Sequence, residues 1–322
     1  MQKWDDYVRK LIAEINKYES AIVVGITGSH LRRKKDDKYL RVYVNGGDAL
    51  KIPLKEGNVF KFADDYFKAE YFGKSELQRI GEIKEIVLNN PYAWNEYENE
   101  YALLGEYLRY VESATKKKFG SLKETSNAKE RMNQIKLFKK LMSDSSKDYA
   151  FMDVEFQTIC EMNYSDKEIE EWLKSHSDTK GMHCGKPDYI AICPNGFYMI
   201  ELKTNKGSIE GKAGIGEHND DFKELIEMNK KNQVLVAELK ERLQVMYDYG
   251  LLNKSYNDLA ESILDKDVKE LSVDAKYLFI TNENFTEEQC RRIISEKGID
   301  EKDVIFEENA ICELGWNKIE NF

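Results

Sequence analysis

Three charged residues near the middle of the chain have types and a spacing that could do chemistry. Asp188 follows Pro187, and Glu201 and Lys203 stand thirteen and fifteen residues further on. Between them lies Asn195-Gly196, flanked by the strand-like runs Tyr189–Cys193 and Phe197–Lys203. Asn-Gly is the strongest short-range hairpin signal, because the favoured two-residue reversal needs positive φ at both positions. A turn on those two residues pairs positions whose numbers sum to 391, so Asp188 is expected opposite Lys203, and Ile190 opposite Glu201. Opposed residues of an antiparallel pair share a face, and so do residues two apart on one strand. All three charges are then expected together at the open end of the hairpin. Two carboxylates at that range repel each other. A hard divalent cation relieves the repulsion, and oxygen donors suit Mg²⁺ or Mn²⁺ better than zinc.

The elements around the hairpin must hold these charges in place. Tyr189, Ala191 and Cys193 on one face, Ile190 and Ile192 on the other, and Phe197 to Ile200 are apolar, which predicts central strands covered on both sides. Charge at the end of such strands is costly unless it is paired or binds a metal. Upstream, Met132, Ile135, Phe138 and Met142 form a helical stripe, with Asn127 to Glu130 as a capping box, and a strand is expected over Tyr149–Ile159. A polar insertion, Asn163 to Lys186, separates that strand from the hairpin. Downstream come a glycine-rich loop, one or two helices over 220–249, a strand over Lys276–Thr281, a helix over Glu287–Lys297 and a strand over Val304–Phe306. The first 120 residues read differently: a helix over 4–18, a strand over Ala21–Ile26, a hairpin through Asn45-Gly46-Gly47, and two helices over 75–113 broken near Asn90-Pro91.

Pro187-Asp188 followed by Glu201-Leu202-Lys203 resembles the PD-(D/E)XK motif of the restriction-endonuclease-like nucleases. The order helix, strand, strand, strand, helix, strand over 127–281 is similar to the core of that superfamily. The resemblance implies an α/β (mixed α+β) chain. It says nothing of residues 1–120, which read as an N-terminal α+β domain expected to serve specificity, dimerisation or partner binding; the restriction-endonuclease-like domain, 121–322, would carry a mixed central sheet flanked by helices. It implies a Mg²⁺- or Mn²⁺-dependent nuclease acting on nucleic acid, DNA in preference to RNA, in bacterial or phage defence. The alternative is an inactive nuclease-fold protein that binds nucleic acid or protein. Asp188, Glu201 and the backbone carbonyl of Leu202 would hold the metal, and Lys203 would orient or deprotonate the attacking water. Members often add an upstream acid, for which Glu130 and Glu155 are the candidates. Glu155 shares a strand face with Asp153 and Gln157. Lys206, Lys212 and His218, in or just after the glycine-rich loop, and Gln157 on the upstream strand are placed to meet substrate or support the metal.

Composition agrees with that picture in part. Charged residues make up 34% of the sequence and no apolar run is long enough for a membrane span, so a globular protein is expected. The early Asp5 and Asp6, with no apolar leader, predict a cytoplasmic location. The net charge of −10 argues against a nucleic-acid partner, but it is segregated: residues 116–140 carry a local +7 and residues 31–41 a local +4. The five cysteines include no C-x-x-C pair, and His176, His183 and Cys184 fit no zinc spacing, so reduced, mostly buried thiols are expected.

Overall fold

A computed structural model describes residues 2–27, 38–96, 101–121, 126–154, 187–204, 215–281 and 285–308. The chain clusters into two compact units, one of residues 1–28, 36–139 and 249–251, the other of 29–35, 140–248 and 252–322. Each has its own sheet, and the protein is of the mixed α/β class.

In the first unit the Asn-Gly signal works as chemistry dictates. Strands β2 (Tyr39–Val44) and β3 (Gly47–Pro53) pair antiparallel with Val44 against Gly47. Asn45 (φ 49°) and Gly46 (φ 81°) make the two-residue reversal, both in the left-handed region that this turn requires. Strand β1 (Ala21–Thr27) and the short β4 (Lys61–Phe62) complete an antiparallel sheet in the order β1-β2-β3-β4. Helix α1 (Gln2–Ile15) buries Trp4, Tyr7, Val8, Leu11, Ile12 and Ile15, the stripe its periodicity predicts. Helix α2 (Lys74–Asn89) stops just before Asn90-Pro91, where proline removes a donor. The short α3 (Ala93–Glu96) and the long α4 (Ala102–Ser121) follow. Tyr107 on α4 donates to the Ala49 carbonyl at 2.8 Å, and Trp4 donates to the Pro53 carbonyl at 3.1 Å, so these buried polar groups are satisfied. Helix α5 (Ser126–Ser143) begins one residue before the Asn127 expected as its cap. It belongs to the first unit as far as Lys139.

The second unit is built on strands β5 (Ala150–Val154), β6 (Tyr189–Cys193), β7 (Gly196–Lys203), β8 (Ser272–Thr281) and β9 (Val304–Glu308), in that spatial order. The first three run antiparallel, whereas β7, β8 and β9 are parallel. Parallel neighbours need a crossover. Helices α6 (Ile215–Asn232), α7 (Val234–Asp248) and α8 (Asn257–Asp265) lie between β7 and β8, and α9 (Glu287–Glu296) lies between β8 and β9. The expected helical stretch over 220–249 is thus two helices, parted at Gln233 in the left-handed region (φ 60°). The described part of the Tyr149–Ile159 strand ends at Val154. Every residue of β6 is buried and β7 is buried except for half-buried Tyr198, as central strands covered on both faces must be.

The hairpin register corrects the one read from the sequence. Cys193 pairs with Gly196 and Tyr189 with Ile200, so the turn residues are Pro194 and Asn195, and Ile190 faces Met199 rather than Glu201. Asn195-Gly196 is not the reversal because Gly196 is needed elsewhere. A Cβ on it would lie 2.1 Å from the Ser272 carbonyl oxygen at the start of β8, and its φ is 143°. Ser272 donates its N–H to the Asn195 carbonyl at 2.9 Å, which brings the two backbones together at that point. The slip is by two residues. Since side chains alternate with period two, every side chain keeps its face.

Candidate active site

Glu201 and Lys203 stand at the carboxyl end of β7, two residues apart and on one face, with side chains 7% and 3% exposed. Lys203 Nζ donates to Glu201 Oε1 at 2.9 Å. Glu201 Oε1 also lies 3.2 Å from His218 Nε2, in the first turn of α6. Two donors therefore converge on one carboxylate oxygen. The other, Oε2, is buried with no hydrogen-bond partner among the described residues. A buried carboxylate oxygen left bare costs free energy, and a bound cation is one group that would satisfy it.

Asp188 enters from the end of β6. Its Oδ2 accepts the Leu202 N–H at 2.8 Å. Continuing the register two residues beyond Tyr189–Ile200 sets Leu202 opposite Pro187, so the Asp188 side chain takes the N–H that a main-chain carbonyl would otherwise receive. The N–H and C=O of one strand residue leave the same edge. The Leu202 carbonyl is thus directed to the β6 side, where Asp188 lies. Oxygen from Asp188, Glu201 and Leu202 is a hard donor set, and it fits Mg²⁺, an ion commonly bound through one or two carboxylates while it keeps several waters. Among the described residues no three His, Cys, Asp or Glu side chains are grouped so as to hold a metal ion.

The sheet face carrying Glu201 and Lys203 lies under α6. Tyr277 on β8 pairs with Glu201 in the parallel ladder, packs against Phe222 (ring centroids 6.4 Å apart) and donates its hydroxyl to Asn219 Oδ1 at 3.1 Å. Burial, and then the Glu201 charge, push the Tyr277 phenol well above its usual range. Farther along the same face, Asp153 on β5 lies opposite Ile190. It is 2% exposed. Arg242 on α7 ties Asp153 (2.9 Å) to Glu238 (3.0 Å), all three buried.

Asp188, Glu201, Lys203, Leu202 and His218 are thus brought to one strand end. Glu155, Gln157, Lys206 and Lys212 lie outside the described residues, as do His176, His183 and Cys184. Glu130 is on α5, in the first unit, and its side chain also lies outside them. The sequence reading missed Asn219, Tyr277 and the Arg242 clamp. A buried Glu-x-x-x-Arg pair on a helix has no sequence signature apart from its i, i+4 spacing, which exposed helices share. The positive charge of 116–140 is partly engaged within the first unit. Lys116 pairs with Glu112, Lys117 donates to the Tyr71 carbonyl, Lys118 lies 4.7 Å from the Tyr66 ring centre, and Lys139 donates to the Glu19 carbonyl at 2.8 Å. No helix among the described residues is long and apolar enough to cross a membrane. Comparison with family models, curated proteins and solved structures finds no match.

Proposed function

We propose that the chain is a divalent-metal-dependent nuclease, of the PD-(D/E)XK kind that its motif resembles, with Asp188, Glu201 and Lys203 as its active residues and DNA as its substrate. The observation that carries the reading is the bare, buried Oε2 of Glu201 beside Lys203 and Asp188 at one strand end. Asp188 and Glu201, with the Leu202 carbonyl, would hold Mg²⁺ or Mn²⁺. The bound ion would supply Lewis-acid stabilisation of the phosphoryl oxygens and a lowered pKa for its water. Lys203 holds a positive charge where a non-bridging oxygen becomes more negative, and it can orient the attacking water. His218, 3.2 Å from Glu201 Oε1, would position the Glu201 carboxylate from α6.

A plasmid-nicking assay with and without Mg²⁺ is the direct test. Nicking by the wild type, lost in folded Asp188→Ala and Lys203→Ala proteins, is the expected result, and full activity in both variants would end the assignment. The competing reading is a charge cluster that only joins β7 to α6 in an inactive protein that binds nucleic acid or another protein. Lys203 and His218 both on Glu201 Oε1 favour it, because buried ion pairs also serve architecture. Calorimetric titration with Mn²⁺ separates the two, since only a metal site takes up the ion. Defence, a cytoplasmic setting and self-association or partner binding through residues 1–120 belong to the same proposal by analogy with the superfamily.

A further inference from the structure

We infer that the Thr281 hydroxyl is a substrate contact, donating to a non-bridging oxygen of the phosphodiester held at the Glu201–Lys203 site; this rests on the nuclease reading. Thr281 is the last residue of β8. In the parallel ladder Glu201 lies beside Tyr277 and Lys203 beside Phe279, and Thr281 follows two residues later, so its side chain shares their face. A rise of ~3.3 Å per residue and a strand spacing of ~4.8 Å put the Thr281 Cα about 8 Å from that of Lys203. One phosphate group between a lysine side chain and a hydroxyl spans that gap.

Two facts point to a ligand rather than to packing. Thr281 is 5% exposed, yet its Oγ1 has no hydrogen-bond partner among the described residues, and a buried hydroxyl left unpaired is unfavourable. Glu201 Oε2, also buried and without a partner among the described residues, stands at the neighbouring strand end. One is an acceptor suited to a cation and the other can donate to an anion oxygen. A metal-bound phosphodiester presents both charges. Both groups lie at the carboxyl ends of adjacent parallel strands, the edge where open α/β sheets bind ligands.

Thr281→Val keeps the shape and deletes the hydroxyl, and Thr281→Ser keeps the hydroxyl. Binding of a fluorescein-labelled DNA duplex is measured by anisotropy in Ca²⁺, with Mg²⁺-dependent nicking and thermal melting run in parallel. Thr281→Val is expected to weaken duplex binding about tenfold, the worth of one hydrogen bond to a charged oxygen. Thr281→Ser should stay near wild type, and Thr281→Val should melt no lower than wild type because no partner among the described residues is lost. Unchanged duplex affinity in Thr281→Val, with the wild type still nicking DNA, overturns this inference alone. A lower melting temperature in Thr281→Val with unchanged affinity also overturns it, and makes the hydroxyl structural. A wild type that neither binds nor nicks DNA overturns both this inference and the reading beneath it.

Discussion

Asp188 is tied to the neighbouring strand through its Oδ2. Oδ2 accepts the Leu202 N–H in the place of a main-chain carbonyl, which leaves the negative charge as the part that could serve a metal. Asparagine can accept the same N–H through its amide oxygen but carries no charge. Asp188→Asn is therefore expected to melt within about 1 kcal/mol of wild type, the net worth of an ordinary hydrogen bond, while losing the rise in melting temperature that Mn²⁺ gives the wild type. Melting curves with and without Mn²⁺ check both halves, and equal stabilisation of the two proteins would remove Asp188 from the ligand set. The motif residues were legible in the sequence because their chemistry is local: Pro-Asp, then Glu-x-Lys on a strand. Thr281 and Tyr277 were not legible, because what singles them out is position beside β7 in a parallel ladder that pairs residues 76 apart in the chain, Gly196 with Ser272 and Glu201 with Tyr277, and no sequence spacing encodes that.

At the scale of elements, α7 and β5 are joined by a buried ion triad. Asp153 and Glu238 share Arg242, and all three are at most 4% exposed. Removing the guanidinium would leave two carboxylates buried around an apolar gap. Arg242→Met is expected to destabilise the protein by about 3–5 kcal/mol, read as a lower urea midpoint with little change in slope. A midpoint equal to wild type would mean that water reaches the triad. Strand and helix identities were mostly readable from periodicity, whereas the hairpin register was not. Asn45-Gly46 and Asn195-Gly196 carry the same signal, yet only the first is a turn. The second glycine is claimed by the approach of β8, a tertiary demand invisible to a local rule. The site survived the error because a slip of two residues preserves the face of every side chain.

For the whole molecule the question is where its positive charge is spent. Lys117 and Lys118 sit over the Phe72 and Tyr66 rings, at 5.0 and 4.7 Å, within the first unit. Their contribution is then to stability, about 0.5–1 kcal/mol each, rather than to a phosphate-binding surface. A Lys117→Ala/Lys118→Ala protein is expected to melt a few degrees lower while the salt dependence of its DNA affinity stays as in wild type. A shallower salt slope would return these lysines to the nucleic-acid face. Composition alone placed them on a basic face because it counts charges and not the rings beneath them.

Gly196 has a role beyond the turn it fails to make. It is the datum of the parallel pair: the point where β7 comes so close to β8 that no side chain fits, and from which the offset to every later residue is counted. Glu201 reaches Tyr277, and Lys203 reaches Phe279, because the strand runs without a bulge from that mark. One residue inserted between the mark and Glu201 would send both charges to the opposite side of the sheet, whereas the tip of the hairpin lies behind the mark and can change in sequence without disturbing the measurement.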